Sequence, residues 1–324
     1  MEAAIIVTYR CIQKCAMCRV WEFPTRPAEE FKPELLKRLP SLAFCNITGG
    51  EPFLRDDLDD IVAALKRKAR RIVISTNGYL TERILDFARG HKGIGIRVSL
   101  EGLAAVNDRL RGLAGSFDHG LRTIRGLKDM GVADVGFGMT ISDENHDELL
   151  KLYRLAKDLG VEFATAAVHN SFYFHAYDNA LTKRAEIVRN LDELIRDLLK
   201  SKRPKNWYRA YFNRGLAEYV RGNPRLLPCT AATDVFFLDP WGEVYPCNGL
   251  EPRYWMESLG NLHEASFEEI WNSEKAASVR AKVRVCPKNC WMIGTASPAM
   301  KKRPWRPTLW IIKNKIFSRR QGLK

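Results

Sequence analysis

Residues 4–18 read AIIVTYRCIQKCAMC, a short apolar run followed directly by Cys11, Cys15 and Cys18 at the spacing C-x3-C-x2-C. The apolar run predicts a β-strand over Ala4–Thr8, so the cysteines would lie on the loop at its C-terminal end. Three thiolates cannot complete a four-coordinate zinc site without a fourth ligand, and none stands nearby in the sequence. A [4Fe–4S] cluster held by three cysteines leaves one iron open. The stretch therefore predicts an iron–sulfur site, with a zinc loop or unrelated thiols as the alternative.

The following 150 residues alternate apolar runs with amphipathic stretches. Further strands are predicted at Phe44–Thr48, Arg71–Ser75, Ile94–Leu100, Val135–Ile141 and Glu162–Val168. Helices are predicted between them at Asp57–Lys68, Thr81–Ala88, Phe117–Met130 and Asn145–Leu159. Strands that alternate with helices of this length form βαβ units and a parallel sheet. Six units predict an α/β fold with a partial (β/α)6 TIM-like barrel over residues 1–180.

The C-terminal part of the chain has a different texture. Residues 181–226 predict a helical bridge, and residues 227–300 are rich in glycine, proline and tryptophan, with a hairpin predicted from Val235–Leu238 to Glu243–Tyr245. This second region contains four more cysteines, Cys229, Cys247, Cys286 and Cys290. They predict a small cysteine-rich domain with its own metal site, either an iron–sulfur cluster or a structural zinc site. The remaining cysteine, Cys45, lies within an apolar run and is expected to be a core thiol.

The net charge of +14 is concentrated at the C-terminus, where residues 301–324 hold nine Lys or Arg and no acid. A basic tail on a nearly neutral body argues against nucleic acid as a partner. Apolar Trp305, Trp310, Ile311, Ile312, Ile316 and Phe317 alternate there with Arg306, Lys313, Lys315, Arg319 and Arg320, after Pro307. This pattern predicts a basic amphipathic helix, either in peripheral contact with an anionic membrane or docked on the barrel. Without a signal peptide or an apolar span of roughly 20 residues, the expected location is cytoplasmic.

Further motifs follow the predicted strands in order along the chain. Gly49-Gly50-Glu51-Pro52 follows the second strand, Ser75-Thr76-Asn77-Gly78 ends the third, Ser99 ends the fourth, and Arg111 comes twelve residues later. Together with the three-cysteine loop, this set resembles the radical S-adenosylmethionine superfamily over residues 4–168. The resemblance implies a [4Fe–4S] cluster on Cys11, Cys15 and Cys18 whose open iron binds S-adenosylmethionine. It also implies cofactor contacts from Met17, Gly49, Gly50, Glu51, Pro52, Ser75, Asn77, Ser99 and Arg111.

The C-terminal cysteines, with Gly242 five residues before Cys247, resemble the auxiliary-cluster domains called SPASM and, in shortened form, Twitch. A full SPASM domain has seven cysteines and two clusters, so the four cysteines here imply one additional [4Fe–4S] cluster. Because all four ligands would come from the protein, this cluster is better suited to electron transfer than to substrate binding. It could accept an electron from a substrate radical, which favours a net oxidation.

The resemblance implies that S-adenosylmethionine is cleaved reductively to a 5′-deoxyadenosyl radical, which takes a hydrogen atom from the substrate. An electron donor such as flavodoxin or ferredoxin would supply the reducing electron. A substrate pocket is expected where residues 169–178 follow the sixth strand, although a packed aromatic loop is the alternative. The candidates for substrate contact are Tyr9, Arg10, His169, Tyr173 and His175.

Three functions are compatible with these observations. The first is oxidation of a small-molecule or glycan substrate, such as a carbohydrate, polyol or glycolipid, favoured by the single auxiliary cluster and the basic tail. The second is radical modification of a ribosomal peptide by crosslinking, thioether formation or epimerisation; it ranks lower because no peptide-binding domain precedes the cluster loop. The third is a non-enzymatic protein that binds zinc and nucleic acid, which would require the ordered motifs to be coincidental.

Overall fold

Nine strands make up a single sheet in the computed structural model of the chain, which describes residues 1–254 and 256–320. The strands are β1 (Glu2–Ile6), β2 (Phe44–Thr48), β3 (Ile72–Thr76), β4 (Gly95–Ser99), β5 (Val135–Ile141), β6 (Glu162–Ala167), β7 (Val235–Leu238), β8 (Glu243–Tyr245) and β9 (Gly260–Asn261). The helices are α1 (Leu58–Lys66), α2 (Thr81–Gly90), α3 (Ala104–Arg111), α4 (Ser116–Asp129), α5 (Leu149–Asp158), α6 (Arg184–Lys200), α7 (Pro204–Arg221), α8 (Phe267–Asn272), α9 (Glu274–Arg284), α10 (Ile293–Lys302) and α11 (Trp305–Arg320).

The first six strands are parallel and lie side by side in chain order, as successive βαβ units require. One row of paired residues crosses five of them, namely Ile5, Ile47, Ile74, Ile96 and Val135. Each of these side chains is at most 3% exposed, and β-branched residues pack well in such a row on a pleated surface. The predicted partial (β/α)6 barrel is confirmed.

Most element boundaries differ from the predicted ones by only one or two residues. Within the barrel, the eight-residue helix α3 is absent from the predicted elements. In the C-terminal region, α8, α9 and α10 are absent from them as well. Helix α3 ends at Gly112, whose φ of 62° is a left-handed conformation that glycine adopts without strain. The predicted helix Asn145–Leu159 is divided into a short 3-10 turn, His146–Glu148, and α5.

The predicted C-terminal hairpin is present, and it extends the barrel sheet. In β7, Phe237 lies opposite Tyr245 of the antiparallel strand β8. The same strand pairs in parallel with β1, where Ala3 lies opposite Phe236. The cysteine-rich region therefore shares a sheet with the barrel, while its predicted limits, residues 227–300, stay a prediction.

The C-terminal helix α11 docks on the predicted helical bridge, which consists of α6 and α7. The ring of Trp310 meets the ring of Tyr211 edge-on at 5.6 Å, and Ile311 is 5% exposed. Of the two predicted alternatives, membrane contact and docking on the protein, docking is the one observed for this face of the helix. The side chains of Phe317, Arg319 and Arg320 and the last four residues of the predicted tail lie outside the described residues. No helix in the described part of the chain is long and apolar enough to cross a bilayer.

A buried group of charges holds the start of the cysteine loop, which comprises residues 7–19. The Glu30 side chain is 1% exposed, and its Oε2 lies 2.9 Å from Arg10 Nη2 and 3.2 Å from Arg55 Nη1. Burial alone would raise the pKa of Glu30, but hydrogen bonds from Arg10, Thr25 and Thr8 hold that pKa below its ordinary value. The side chain of Arg10, a candidate for substrate contact, is therefore already engaged in an ion pair with Glu30.

We expect Glu30→Gln to lower the free energy of unfolding by about 3 kcal/mol, because Arg10 and Arg55 would lose their shared counter-charge inside the protein. The matched control is Glu29→Gln, which removes a carboxylate that is 41% exposed and paired with exposed Arg26. That control should change the free energy of unfolding by less than about 0.5 kcal/mol. Denaturant titration of the reconstituted protein under anaerobic conditions measures both values. Equal effects of the two substitutions would contradict a positioning role for Glu30.

Candidate active site

The cysteine triad, Cys11, Cys15 and Cys18, lies on the loop after β1, and the C-terminal end of α3 fixes this loop. Lys14 N donates to Arg111 O at 3.1 Å, and Ala16 N donates to Leu110 O at 2.9 Å. A Cβ atom on Gly112 would lie 2.5 Å from Lys14 O. Glycine is therefore needed here both to end α3 and to admit the backbone of the cysteine loop.

The environment of the triad disfavours free thiolates. All three cysteines are unbridged, and burial raises the pKa of Cys11 to about 11 and that of Cys18 to about 12. Burial also raises the pKa of Cys15, although Arg111 Nη1, 3.4 Å from its sulfur, opposes that effect. Thiolates in such a place need a strong positive charge, which bound iron supplies. The donor set of three clustered thiols thus fits an iron–sulfur cluster.

Arg111 links the triad to the end of β4. Its Nη1 lies 3.3 Å from Glu101 Oε1, and its Nη2 donates to Ser99 O at 3.1 Å. Its Nε is buried and has no partner among the described residues. A guanidinium that is held on two sides and has an open N–H fits a carboxylate ligand. Glu101 is 2% exposed and is absent from the predicted site, although its position directly after β4 was an available signal.

The Gly49-Gly50 pair brings the loop after β2 against the cysteine loop. A Cβ atom on Gly49 would lie 2.5 Å from Thr8 O, and one on Gly50 would lie 2.2 Å from Arg10 O. In the absence of those atoms, Gly50 N donates to Thr8 O at 2.7 Å and Glu51 N donates to Arg10 O at 2.8 Å. These glycines are therefore required by the contact between two loops of the protein, whatever cofactor contacts they also make.

The Glu51 carboxylate joins the second motif to the third. It is fully buried and accepts hydrogen bonds from Phe53 N at 3.1 Å, Thr76 Oγ1 at 2.8 Å and Asn77 N at 2.7 Å. Asn77 Nδ2, in contrast, is buried without a partner in the described structure. Two N–H donors near the triad, on Asn77 and Arg111, are thus left for a bound molecule.

The other predicted cofactor contacts have partners within the protein. Ser75 Oγ donates to Asn46 Oδ1 at 3.1 Å, and Met17 O accepts from Asn179 Nδ2 at 3.1 Å. Pro52 is buried at the start of a 3-10 turn. Their roles toward S-adenosylmethionine stay predictions.

The loop of residues 168–179 contacts both cysteine regions of the chain. Arg19 N donates to Phe174 O at 2.8 Å, and Phe172 N donates to Leu250 O at 2.9 Å. The loop contributes to an aromatic cluster formed by Ile6, Tyr9, Val20, Phe172, Tyr173 and Leu250. Cys11 and Cys18 pack against this cluster, and so does Cys247 of the second set.

The candidates for substrate contact differ in how far they are already engaged. Tyr173 OH lies 3.0 Å from Thr48 Oγ1 and donates to Gly49 O at 2.5 Å. His169 Nε2 lies 3.2 Å from Asn248 Nδ2, and burial lowers the pKa of His169 to about 4. Tyr9 is 2% exposed, so it lies within the aromatic cluster.

His175 is the least engaged of these candidates. It has a φ of 50°, which is uncommon for a residue other than glycine. Its ring stacks on Phe23 at 4.6 Å and meets Tyr9 edge-on at 5.3 Å. Its Nε2 is buried with no partner among the residues described.

The second cysteine set converges on one cavity of about 430 Å³, whose lining includes Cys229, Cys247, Cys286 and Cys290. Arg225 and Lys288 also line it, and Lys288 Nζ donates to Gly249 O at 2.7 Å. Burial raises the pKa of Cys247 and that of Cys290. Four convergent thiols beside two cations fit an anionic cluster ligated only by protein. Cys45 is fully buried in the barrel core, as expected.

Comparison with known families identifies both regions. Residues 5–156 match the Radical SAM superfamily, and residues 229–291 match SPASM, an iron–sulfur cluster-binding domain. The chain is a radical SAM enzyme with a C-terminal SPASM domain. Its cofactors are S-adenosylmethionine, the [4Fe–4S] cluster of the radical SAM domain, and auxiliary iron–sulfur cluster binding by the SPASM domain.

Several characterised proteins are similar over most of the chain. The pre-heme d1 synthase of Dinoroseobacter shibae is 27% identical over 306 residues, covering 82% of this chain and 71% of that protein. The subtilosin biosynthesis protein AlbA of Bacillus subtilis is 29% identical over 284 residues, covering 84% of this chain and 60% of AlbA. The solved structure of anSMEcpe with AdoMet and the Cp18Cys peptide covers 97% of both chains, with a TM-score of 0.64 and 14% identity, and so shows the fold alone.

We expect Arg111→Lys to weaken S-adenosylmethionine binding about tenfold or more, because an ammonium group cannot hold Glu101 and Ser99 and still present a planar N–H to a carboxylate. The control is Arg109→Lys, on the same helix, where the side chain is 55% exposed and paired with Glu144. Binding is measured from the change in the electron paramagnetic resonance spectrum of the reduced cluster. Unchanged affinity in Arg111→Lys would remove this residue from the cofactor site.

Joint replacement of Cys229 and Cys247 by alanine should reduce the iron content from about eight to about four per chain if each site holds a [4Fe–4S] cluster. Cys45→Ala is the control, because that thiol is buried in the core and lies in neither set. Iron and sulfide assays after anaerobic reconstitution give the result. An iron content of about four in the parent chain, with bound zinc, would instead favour a structural zinc site.

Proposed function

We propose that this radical SAM enzyme oxidises a peptide by two electrons at a carbon–hydrogen bond held between its two cysteine sets. The observation that supports this proposal most directly is the aromatic cluster against which Cys11, Cys18 and Cys247 all pack. A substrate bound at this cluster would be close to both metal sites. It could then be activated at one site and give up an electron at the other.

When bound, S-adenosylmethionine and the reduced cluster supply a 5′-deoxyadenosyl radical, and the auxiliary cluster supplies an acceptor for one electron. A substrate would lose a hydrogen atom to that radical, a proton to a base of the protein, and an electron to the group that the second cysteine set would hold. The substrate would thereby be oxidised by two electrons overall. A flavodoxin or ferredoxin would deliver the electron that starts each cycle.

The residues of the chain position the reactants and exclude water. The open N–H groups on Arg111 and Asn77 would hold the carboxylate and the polar groups of S-adenosylmethionine. Tyr173 ties the 168–179 loop to Gly49 of the loop after β2. A loop fixed in this way keeps water from the aromatic cluster, so that a reactive radical would meet only its target.

His175 is the best-placed proton acceptor. Burial lowers the pKa of this histidine, so its ring is neutral near pH 7, and its Nε2 has no partner in the described structure. The stacked Phe23 ring and the edge of Tyr9 hold the imidazole in position. A neutral imidazole with an open nitrogen can accept the proton that the oxidised substrate must release.

The surface around this site favours an uncharged, partly apolar substrate. Apolar side chains at its rim are well exposed: Phe23, Tyr177, Trp241 and Met256 are 37% to 51% exposed. Two of the cations near this rim are paired, Arg19 with Asp178 and Lys288 with Glu251. A substrate with several carboxylates would find few free cations there, whereas a neutral peptide segment could lie across the aromatic side chains. The similarity to AlbA, which takes part in bacteriocin biosynthesis, supports the same choice.

Oxidation of a carbohydrate, polyol or glycolipid, the preferred hypothesis from sequence alone, has no comparable support. It depended on the single auxiliary cluster and the basic tail. Neither feature distinguishes a sugar from a peptide.

The substrate class can be tested with synthetic peptides that correspond to short reading frames beside the gene. The anaerobically reconstituted enzyme would receive dithionite, S-adenosylmethionine and one peptide at a time. Stimulated release of 5′-deoxyadenosine, with product lighter by two hydrogens in mass spectrometry, is expected for the cognate peptide. Turnover of a heme precursor, the class of compound suggested by the similarity to pre-heme d1 synthase, or of polyols in the same assay, with none on any peptide, would overturn the peptide assignment.

We expect His175→Phe to lower product formation about 100-fold while 5′-deoxyadenosine release continues, because a phenyl ring keeps the stack on Phe23 but cannot accept a proton. The control is His91→Phe, at the C-terminal end of α2, where the ring also stacks on a phenylalanine. Chromatography quantifies both compounds in one reaction. Equal product yields from His175→Phe and the parent enzyme would exclude His175 as the base.

A further inference from the structure

The outward face of α11 carries a continuous stripe of exposed apolar side chains. Trp305 is 54% exposed, Leu309 63%, Ile312 50% and Ile316 49%. Their spacing of four, three and four residues places them along one side of a helix. A stripe of this kind in water is unfavourable unless something covers it.

The stripe is not needed to hold α11 on the protein, because the opposite face does so. On that face Trp310 contacts Tyr211, Arg214 lies 5.3 Å from the Trp310 ring, and Ile311 is buried. Lys315 Nζ lies 4.0 Å above the Trp207 ring. The helix α11 therefore has two apolar faces. One is docked on the protein, and the other is exposed to solvent.

The charges beside the stripe are all of one sign. Arg306 and Lys313 are exposed next to it, and residues 301–324 contain no acidic residue. Lys301 and Lys302, just before α11, remain more than half exposed while they pair with Glu2 and Asp234. Basic residues that flank an exposed apolar stripe complement a surface in which an apolar layer lies beneath an anionic one, as in a phospholipid membrane.

We propose that α11 lies flat on an anionic phospholipid surface, with Trp305, Leu309, Ile312 and Ile316 among the acyl chains and Arg306 and Lys313 on phosphates. The size of the stripe favours lipid over a protein partner. A 16-residue helix is about 24 Å long, and one side of it offers far less than the roughly 800 Å² per partner of a stable protein interface.

The same docking fixes the orientation of the barrel. Glu162, the first residue of β6, pairs with Lys205 at the start of α7, so this end of α7 lies at the N-terminal edge of the strands. Lys315 lies over Trp207 in that same part of α7. The cysteine loop lies at the other edge, after the C-terminal end of β1. A membrane beneath α11 would therefore leave the active site facing water.

The test uses the full-length reconstituted enzyme and vesicles of phosphatidylcholine with or without phosphatidylglycerol. Sedimentation with the anionic vesicles only is expected, and it should weaken with added salt. Ile312→Ser should reduce the fraction bound about tenfold, and Arg306→Gln with Lys313→Gln should remove the preference for phosphatidylglycerol. The matched control is Ile293→Ser, at a residue 57% exposed on α10, which should bind like the parent.

The release of 5′-deoxyadenosine by each variant verifies that folding and cluster content are intact. Failure of the parent enzyme to sediment with anionic vesicles would overturn the proposal, as would equal binding by Ile312→Ser. A dimer in analytical ultracentrifugation that Ile312→Ser dissociates, without vesicle binding, would assign the stripe to a second copy of the chain instead. None of these results depends on the identity of the substrate.

Discussion

The close backbone contact between the start of the cysteine loop and the Gly49-Gly50 turn is the constraint on which the site depends. A side chain at either glycine would meet a carbonyl oxygen of Thr8 or Arg10 at 2.5 Å or less. Gly112 plays the same part on the other side, where α3 supports Lys14. The cysteine loop is thus held between two backbone segments that approach it only because they lack Cβ atoms. Its three thiols owe their fixed positions to these contacts.

Three buried carboxylates also connect the segments around the cysteine loop. Glu30 binds Arg10 and Arg55, Glu51 binds the backbone of Asn77, and Glu101 binds Arg111. Glu101 also accepts a hydrogen bond from the backbone of Thr140. Each carboxylate is buried and joins different segments of the chain, so removal of its partner would leave an uncompensated polar group. Because the carboxylates take up most nearby donors, the few donors left open near the triad stand out as places for a ligand.

The sequence predicts the features that are local and leaves open those that depend on distant partners. Strand periodicity and cysteine spacing are short-range signals, and the barrel is predicted from them. The engagement of Arg10 by Glu30, twenty residues away, has no local signal, so Arg10 looked free to meet a substrate. The pairing of β7 with β1 joins residues more than 200 positions apart. For α11, the apolar pattern gave two alternatives, because two different faces of the helix are apolar.

The number of thiols at each site fits the division of roles that we propose for the two sites. Three cysteines on a loop would leave one iron of a cluster open, and the N–H donors on Asn77 and Arg111 are available to a small molecule beside it. Four cysteines that line one cavity, with Arg225 and Lys288 beside them, would complete the ligation of a cluster and so favour electron transfer without ligand exchange. The aromatic cluster that both sets contact is buried, so water has little access to it. A radical formed there would meet the two metal sites and little else, as a controlled oxidation requires.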